Sequence, residues 1–551
     1  MLALAFTPST TAVGGSLVLT ALLGLVPLLV FFVLLGVFKV PTHWCALASL
    51  GIAFLGAVLG FRMPGTLALL SGLQGAVFGL SVIIYIVIMA VWLHNLTERS
   101  GRSADVRTVF SVVGKGDMRV QALLIGFSFC GLMEGLAGFG APVAIACAML
   151  LALGLPPIKA AVVTAVGNAL NVAFGAMAIP LTTTAALGGV QPDALGQTAG
   201  RITPLFLVWM PILLLAIMDG RRGVREVWPA ALVAGIGMAG GHFVTSHFLS
   251  YQLTAVVASL VSFALVALLM LVWQPHTPPE QHSGATEGGL SASRVTLALL
   301  PYWLVVLIFV VAKLWKVGVD LPRVLSSWDL SVKMPGLYGE VLTGSGDVAT
   351  SPTLSIPALS SPGTMLLLTG IIVTIVYALN SSGGRFTFSV GQGIATLGRT
   401  VVELRWAIFT ITAVMALAYV MNISGQTVAV GTWLAGTGVA FAFFSPVLGW
   451  LGTAVTGSAT SSGALFANLQ TTVATQTHMN TQLLLAANEI GGGIGKIVSP
   501  QNLAIAATAV KEPGLEPTLL RTTAPYSIGL VVLLGVVVVL ASAGVLGFVV
   551  A

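Results

Sequence analysis

Long apolar runs separated by short polar segments recur along the whole 551-residue chain. An α-helix needs about 20 mostly apolar residues to cross a bilayer, and several runs approach or exceed that length. They include residues 16–38, 75–93, 202–218, 252–273, 296–312, 364–379 and 525–550. This pattern predicts an all-α polytopic membrane protein with about 12–14 transmembrane spans.

Composition and charge favour the same class. Apolar residues make up 57% of the chain and charged residues 7%, whereas about a quarter of a soluble domain is charged. The net charge of +6 does not require a nucleic-acid partner, because lysine and arginine gather in the cytoplasmic loops of membrane proteins. By that rule we expect the basic segments 96–119 and 219–228 in the cytoplasm, and the N-terminus on the periplasmic or extracellular side.

Two polar interruptions divide the apolar pattern. Residues 274–294 are rich in Pro, Gly and Ser and are typical of a flexible linker. Residues 316–362 form a longer polar loop. We therefore predict an N-terminal transmembrane half (1–273), a linker (274–294) and a C-terminal transmembrane half (295–551) that contains the polar loop.

The two halves share an internal repeat. GNALNVAFGAMAIP (167–180) aligns with ANEIGGGIGKIVSP (487–500), with Asn168, Gly175 and Pro180 each 320 positions before an identical residue. Upstream, EGLAGFGAP (134–142) faces TGSATSSGA (456–464) at an offset of 322. Glycine-interrupted apolar segments at matching places indicate the discontinuous helices of secondary transporters. We expect two repeats of inverted topology, each with a re-entrant hairpin and a discontinuous helix.

The glycine-rich stretch EIGGGIGKIV is not a phosphate-binding loop. Such a loop needs GxxxxGK followed by Ser or Thr. Here Ile490 stands at the first glycine position, and Ile497 follows Lys496.

Glu134 is the first candidate site residue, because it lies within the apolar region 120–155 beside the glycines Gly138 and Gly140. A carboxylate in the hydrocarbon layer costs free energy, so it should face a cavity or a partner. Burial also suits it to carrying a proton. A structural ion pair or an interfacial position is the alternative.

Polar residues in the other broken segments are candidates for substrate binding. Hydroxyl and backbone N–H groups can bind the carboxylate of a substrate, and amide side chains can bind both its hydroxyl and its carboxylate. Lys496 can neutralise a bound anion, unless it pairs with Glu489. Helix packing is the alternative role for the hydroxyls and amides. Together with Gly138 and Gly140 of the first hairpin, the candidates for substrate binding are Thr456, Ser458, Thr460, Ser461, Ser462, Asn168, Asn171, Asn488 and Lys496.

These motifs resemble the lactate permease family, which carries L-lactate and glycolate across bacterial inner membranes with protons. The matching stretches are EGLAGFGAPVAI, FGAMAIP, AIMDGRRGVREVWPA, FFSPVLGWLGTAVTGSATSSGALFANLQ and GKIVSPQNLAIA, in the same order and with similar spacing. The resemblance implies uptake of 2-hydroxymonocarboxylates by proton symport. It also implies kinship with transporters built from inverted repeats with re-entrant hairpins.

The chain departs from the family pattern at three positions. The family has TGSDTSSNALF where this chain has TGSATSSGALF, so Ala459 replaces an aspartate and Gly463 an asparagine. Glu489 stands where the family carries a threonine. We hypothesise that the carboxylate of the second half has moved from the hairpin to the broken helix. Glu489 would then be a proton-coupling residue together with Glu134.

The leading interpretation is a secondary active transporter that imports L-lactate, glycolate and D-lactate by proton symport across a bacterial inner membrane. It is not an enzyme, needs no metal or cofactor, and has small monocarboxylates, protons and the bilayer as partners. A sodium-coupled carrier of another organic anion is the near alternative, since unwound carbonyls also coordinate Na⁺. A channel would show no accumulation against a gradient. A membrane enzyme would show a zinc-ligand, nucleophile or nucleotide motif.

Overall fold

The computed structural model of the chain is almost entirely helical over the residues that it describes, which are 5–138, 140–278, 281, 291–312, 324–342, 347–349, 352–357, 359–512 and 514–550. The α-helices are α1 (Leu17–Gly36), α2 (Thr42–Leu55), α3 (Gly65–Phe78), α4 (Tyr85–Arg99), α5 (Ser103–Val113), α6 (Met118–Leu123), α7 (Cys130–Leu136), α8 (Ala141–Leu153), α9 (Pro157–Asn168), α10 (Gly175–Gly188), α11 (Pro192–Ile202), α12 (Pro204–Leu207), α13 (Met210–Phe248), α14 (Thr254–Val272), α15 (Ala292–Ala298), α16 (Leu300–Ala312), α17 (Pro362–Leu379), α18 (Val390–Glu403), α19 (Arg405–Ile423), α20 (Gln426–Ala435), α21 (Phe441–Thr456), α22 (Ala459–Thr477), α23 (Thr481–Gly495), α24 (Pro500–Ala509) and α25 (Glu516–Ser542).

Short segments of other geometry join these helices. π-helical turns occupy Gly56–Gly60, Gly79–Ile84 and Leu124–Phe129, and 3-10 helices occupy Ala169–Phe174, Tyr251–Leu253, Ser326–Trp328, Gly438–Ala440, Lys496–Val498 and Gly547–Val549. β1 (Leu330–Lys333) pairs antiparallel with β2 (Thr353–Ile356) inside the predicted polar loop. That loop and the predicted linker 274–294 lie partly outside the described residues.

Eleven helical segments in the described part of the chain are long and apolar enough to cross a membrane. The bent pair α15 and α16 makes twelve if it is counted as one span, which meets the lower end of the expected range. The longest segment, Pro192–Phe248, is interrupted at Gly220, where φ is 63° and ψ is −147°. Large apolar side chains such as Leu268 and Val532 are about half exposed on the outer surface. The prediction of an all-α, multi-pass membrane protein is confirmed.

Helices from the two predicted halves interlock. Helices α2 and α3 both pack on α19, α1 packs on α20, and α4 packs on α17. Helix α10 packs on α22. One continuous core therefore contains residues from both halves, and the division at 274–294 stays a prediction about the sequence repeat.

Each half contains a helical hairpin followed by an interrupted helix. The first hairpin is α7 with α8, and the first broken helix is α9, residues 169–174 and α10. The second hairpin is α21 with α22, and the second broken helix is α23, residues 496–498 and α24. The first helices of the two hairpins end at Leu136 and Thr456, which are 320 positions apart. The sequence alignment of the hairpins used an offset of 322, so it differs from the structural correspondence by two residues. The re-entrant path of the hairpins and the inverted relation of the repeats stay predictions.

Glycines let the second broken helix touch the backbone of its neighbours. A Cβ at Gly491 would overlap the carbonyl oxygen of Pro446 on α21. A Cβ at Gly493 would overlap the carbonyl oxygen of Ala169 in the first broken helix. Small residues allow such close approach between membrane helices. This packing holds the two broken helices against each other.

A buried arginine ties the first hairpin to two other segments. Arg119 is 1% exposed and contacts Asp117 (Nη2 to Oδ2, 2.9 Å), Asp219 (Nη1 to Oδ2, 3.2 Å) and Glu226 (Nη1 to Oε2, 2.6 Å). It also donates to the carbonyl oxygen of His276 at 2.9 Å. Asp117 caps α6, which leads into the first hairpin, while Asp219 and Glu226 flank the interruption of α13. The cluster therefore fixes the base of the first hairpin.

We predict that Arg119→Met lowers the free energy of unfolding by on the order of 3 kcal/mol, because it leaves three carboxylates close together without their shared cation. Urea or thermal unfolding of the purified protein in detergent measures the loss. Arg99→Met is the control, since the Arg99–Glu403 pair is about half exposed and such pairs contribute about 0–1 kcal/mol. Equal losses in the two variants would contradict the prediction.

Candidate functional site

A cavity of about 270 Å³ lies where the two hairpins and the two broken helices meet. Residues of all four elements line it, together with the first turns of α2 and α19. The lining includes Glu134, Gly138, Gly140, Gly175, Ala176, Ile179, Pro180, Thr456, Gly457, Ser458, Ala459, Thr460, Ser461, Lys496, Gln501, Asn502 and Ile505, and on the other side Thr42, His43, Trp406 and Thr410.

Three helices begin at this cavity. Helix α8 begins after Gly140, α22 after Ser458 and α24 after Ser499, and none of them has an acidic residue in its first turn. Ser458 and Ser499 each accept one backbone N–H of their own helix. The Ala141 N–H donates to the carbonyl oxygen of Gly138, and Pro142 and Pro500 have no N–H. The first-turn N–H groups without a partner carry partial positive charge, which favours a bound anion.

The interruption of the first broken helix is a left-handed turn. Ala176, Met177 and Ala178 have φ values of 44°, 60° and 58°. A left-handed conformation costs about 1–2 kcal/mol for each residue other than glycine. Such strain persists only where the surrounding structure imposes it. Ala176 lines the cavity, so the strained backbone belongs to its wall.

Glu134 and Lys496 form a buried ion pair across the two halves. Lys496 Nζ lies 2.8 Å from Glu134 Oε1 and 3.1 Å from Oε2. Asn168 Nδ2 donates to Glu134 Oε2 at 2.6 Å. Both charged residues line the cavity and are less than a tenth exposed. Lys496 therefore pairs with Glu134 and not with Glu489, its neighbour in sequence.

Asn171 lies outside the cavity lining and contacts a buried histidine. Its Oδ1 lies 3.0 Å from His242 Nε2, and His242 Nδ1 lies 3.2 Å from Thr203 Oγ1. The Thr203 hydroxyl also donates to the carbonyl oxygen of Ala199 at 2.9 Å. The edge of this imidazole also meets the ring of Phe174.

Glu489 is a second buried carboxylate, held only by neutral donors in the described structure. Thr184 donates to its Oε1 at 2.7 Å and Asn488 at 3.3 Å. Its other oxygen, Oε2, is buried without a hydrogen-bond partner. Asn488 is in turn held by Gln470 Nε2 at 3.2 Å. Glu489 contrasts with Glu134, whose charge Lys496 balances.

Gly463 makes the space that Glu489 occupies. An added Cβ at Gly463 would overlap both Glu489 Oε1 and Thr184 Oγ1. Gly463 and Glu489 are therefore coupled by packing. Ala459 lines the cavity on the same helix as Gly463.

Most of the candidate residues meet at the cavity, and the rest pack around it. The lining contains Glu134, Gly138, Gly140, Thr456, Ser458, Thr460, Ser461 and Lys496. Asn168 lies behind Glu134, and Ser462 donates to the carbonyl oxygen of Gly449 between the arms of the second hairpin. Asn171, Asn488 and Glu489 lie in the buried networks outside the lining. Their roles in binding and coupling stay predictions.

Several residues of the site were not identified from the sequence. Gln501 and Asn502 line the cavity from the first turn of α24, and a polar pair directly after the Ser-Pro of a broken helix was a usable signal. Thr184, in the N-terminal half, donates a hydrogen bond to Glu489 in the C-terminal half. The stacked rings of His43 and Trp406, 4.5 Å apart, form part of the far wall. No local pattern marks Thr184, His43 or Trp406.

Comparisons with known proteins relate the chain to transporters. The model of the family described as L-lactate permease matches residues 20–545. Glycolate permease GlcA of Escherichia coli (strain K12) is 37% identical over 550 residues, covering 96% of each chain. The L-lactate permease of Bacillus subtilis (strain 168) is 37% identical over 566 residues, covering 97% of each chain. Among solved structures, MtrF of Neisseria gonorrhoeae aligns with 84% of this chain and 82% of its own at 13% identity and a TM-score of 0.41.

We predict that Gly463→Ala lowers the free energy of unfolding by about 1–3 kcal/mol, because the new methyl group overlaps Glu489 and Thr184. Adding Glu489→Ala to this variant should recover part of the loss. Thermal unfolding in detergent measures both effects. Gly240→Ala on α13 is the matched control, since its Cβ meets nothing within 4 Å. A Gly463→Ala variant as stable as this control would contradict the assigned packing.

Proposed function

Because the chain belongs to the L-lactate permease family, we propose that it is a secondary active transporter that imports L-lactate and related 2-hydroxymonocarboxylates by proton symport. Glycolate and D-lactate are the related substrates. The membrane in this proposal is a bacterial inner membrane, with the N-terminus on the periplasmic or extracellular side.

The observation that carries the proposal is the cavity between the hairpins and the broken helices. It combines Lys496, the hydroxyls of the second hairpin and three helix N-termini. These groups suit a small carboxylate that carries a hydroxyl. A cavity lined by broken helices near the middle of the fold is also the usual binding site of secondary transporters.

Proton coupling is proposed from the two buried carboxylates. Each lies in a broken or hairpin element, Glu134 at the cavity and Glu489 behind it. A carboxylate without a cation is costly to bury, and a proton on Glu489 would remove that cost. We further propose that the two hairpins are re-entrant and belong to inverted repeats.

Uptake of labelled L-lactate into proteoliposomes that hold the purified protein tests the function. We expect accumulation driven by an inward proton gradient, unchanged by removal of Na⁺, and inhibited by unlabelled glycolate and D-lactate. Protein-free liposomes are the control, and pyruvate tests the need for the 2-hydroxyl group. Uptake that requires Na⁺ would support the sodium-coupled alternative, and absence of lactate uptake would contradict the proposed substrate.

We predict that Glu489→Gln reduces proton-driven accumulation to the level of protein-free liposomes, because glutamine cannot take up and release a proton. Ala459→Asp in that background should restore part of it. Residue 459 lines the cavity close to the helix that carries Glu489. The Cβ of Ala459 lies 3.6 Å from the position that a Cβ of Gly492 would take, and Gly492 is about one helical turn beyond Glu489. Full activity of Glu489→Gln, or no rescue by the second change, would reject the relocated carboxylate. Glu512→Gln, an exposed exchange of the same type, is the control.

A further inference from the structure

We propose that Glu134 and the carboxylate of the substrate are alternative partners of Lys496, and that a proton on Glu134 decides between them. The inference rests on the proposed symport of monocarboxylates and assigns the chemistry that couples the two fluxes. Without the proton, Glu134 occupies the cation. With the proton, Lys496 is free to bind the substrate.

The geometry shows that one ammonium group serves both purposes. Lys496 Nζ contacts both carboxylate oxygens of Glu134, at 2.8 Å and 3.1 Å. The same two side chains line the cavity that we assign to the substrate. Among the described residues, Lys496 is the only Lys or Arg side chain in that lining. The titratable imidazole of His43 also lines the cavity, on the far wall, where it stacks on Trp406. An anion that enters therefore competes with Glu134 for the same positive charge.

Asn168 provides a partner for Glu134 in both states. Its Nδ2 donates to Glu134 Oε2 at 2.6 Å, as an ionised carboxylate requires. Its Oδ1 is buried and has no hydrogen-bond partner. If Glu134 carries a proton on Oε2, rotation of the amide by half a turn places Oδ1 to accept that proton. The unpartnered oxygen is explained as the acceptor for the protonated form.

Other titratable groups lie near α7 without contacting the Glu134 carboxyl group. Of the elements packed against α7, α8 contributes Cys147 and α9 contributes Lys159, and both contact backbone carbonyl oxygens elsewhere. Cys130 lies one turn before Glu134 on α7 itself. Tyr85 and Arg99 on α4 pair with Thr364 and Glu403. The small pocket at Met133 on α7 and Phe129 in the preceding π-helical turn is lined by His94, Glu98, Arg107 and Tyr302. On the side of Lys496, Glu489 is held by Thr184 and Asn488.

Charge balance makes the exchange obligatory. The Glu134–Lys496 pair is neutral, and so is the alternative, in which Glu134 is protonated and Lys496 holds the substrate anion. An anion that entered beside the intact ion pair would add an uncompensated negative charge in a buried site, which is strongly unfavourable. The proton comes from water and binds Glu134 Oε2, while Lys496 keeps its three protons. One proton thus accompanies one monocarboxylate at this site.

The test measures the protons taken up when a monocarboxylate binds to the full-length protein in weakly buffered detergent solution. The ligands are L-lactate, glycolate and acetate. We expect Glu134→Gln to bind ligand with one proton fewer than the wild type, and its affinity to lose the part of the pH dependence that Glu134 causes. In the wild type the need for this proton weakens binding about tenfold for each rise of one pH unit over the range in which Glu134 is ionised. Glu489→Gln should retain the Glu134 proton, and Glu512→Gln should match the wild type.

Lys496 is tested in a variant that keeps the site neutral. Lys496→Gln alone leaves Glu134 buried without its cation, so the double variant Glu134→Gln/Lys496→Met is used and its unfolding temperature is checked. We expect it to fold and to bind each ligand about 10- to 100-fold more weakly than Glu134→Gln, the loss typical of a hydrogen bond to a charged group. Equal binding in these two variants would overturn the role of Lys496.

Infrared difference spectroscopy gives a signature of the protonated state. Ligand binding should produce the carbonyl band of a protonated carboxylic acid, absent in Glu134→Gln and shifted in Asn168→Leu, which lacks the acceptor. A merely structural Asn168 would leave the band in place.

The outcomes separate the exchange from the proposed function. If L-lactate does not bind but acetate or glycolate binds with a proton that Glu134→Gln does not take up, the proposed substrate is wrong and the exchange stands. If Glu134→Gln takes up as many protons as the wild type, or if none of the three ligands binds with proton uptake, the exchange is overturned.

Discussion

The bilayer offers the backbone no hydrogen-bond partner, and this constraint organises the whole structure. A helix may be interrupted at membrane depth only where protein or a water-filled cavity satisfies the freed N–H and C=O groups. In the described part of the chain, the turns of both hairpins and the interruptions of both broken helices border one cavity. The close backbone contact at Gly493 holds the two broken helices together, and the one at Gly491 holds the second broken helix against α21. Gathering these interruptions around one cavity also gathers their polar groups, so the packing that protects the backbone also forms the candidate site.

Within that site, the two carboxylates have opposite environments. Glu134 has a cation, an amide donor and access to the cavity, whereas Glu489 has neutral donors and lies behind the wall. Each depends on both halves of the chain, since Lys496 reaches Glu134 and Thr184 reaches Glu489. Contacts of this kind join the two halves of the chain at the residues that would have to respond to substrate and proton. Separate halves would leave both carboxylates without their strongest partners.

The sequence predicted those parts of the site whose residues are out of place in an apolar chain. Glu134, Lys496 and the hydroxyls of the second hairpin stand out because burying them in a membrane is costly, and the structure places them around one cavity. Which charged residues pair with each other was harder to predict. Lys496 is seven positions from Glu489 in sequence yet pairs with Glu134, 362 positions away. Apolar periodicity predicts the helices but not how they cross. The packing on Thr184, the burial of His242 and the far wall with Trp406 follow only from the crossing geometry.

The contact between Gly463 and Glu489 has a consequence for the ancestry of such chains. A side chain at position 463 and a glutamate at position 489 compete for the same space, at a cost of about 1–3 kcal/mol. Along an evolutionary path that ends in this sequence, the glutamate is therefore accommodated best where the glycine is already present. The reverse order passes through a less stable intermediate, so a single interatomic overlap biases the order of the two substitutions.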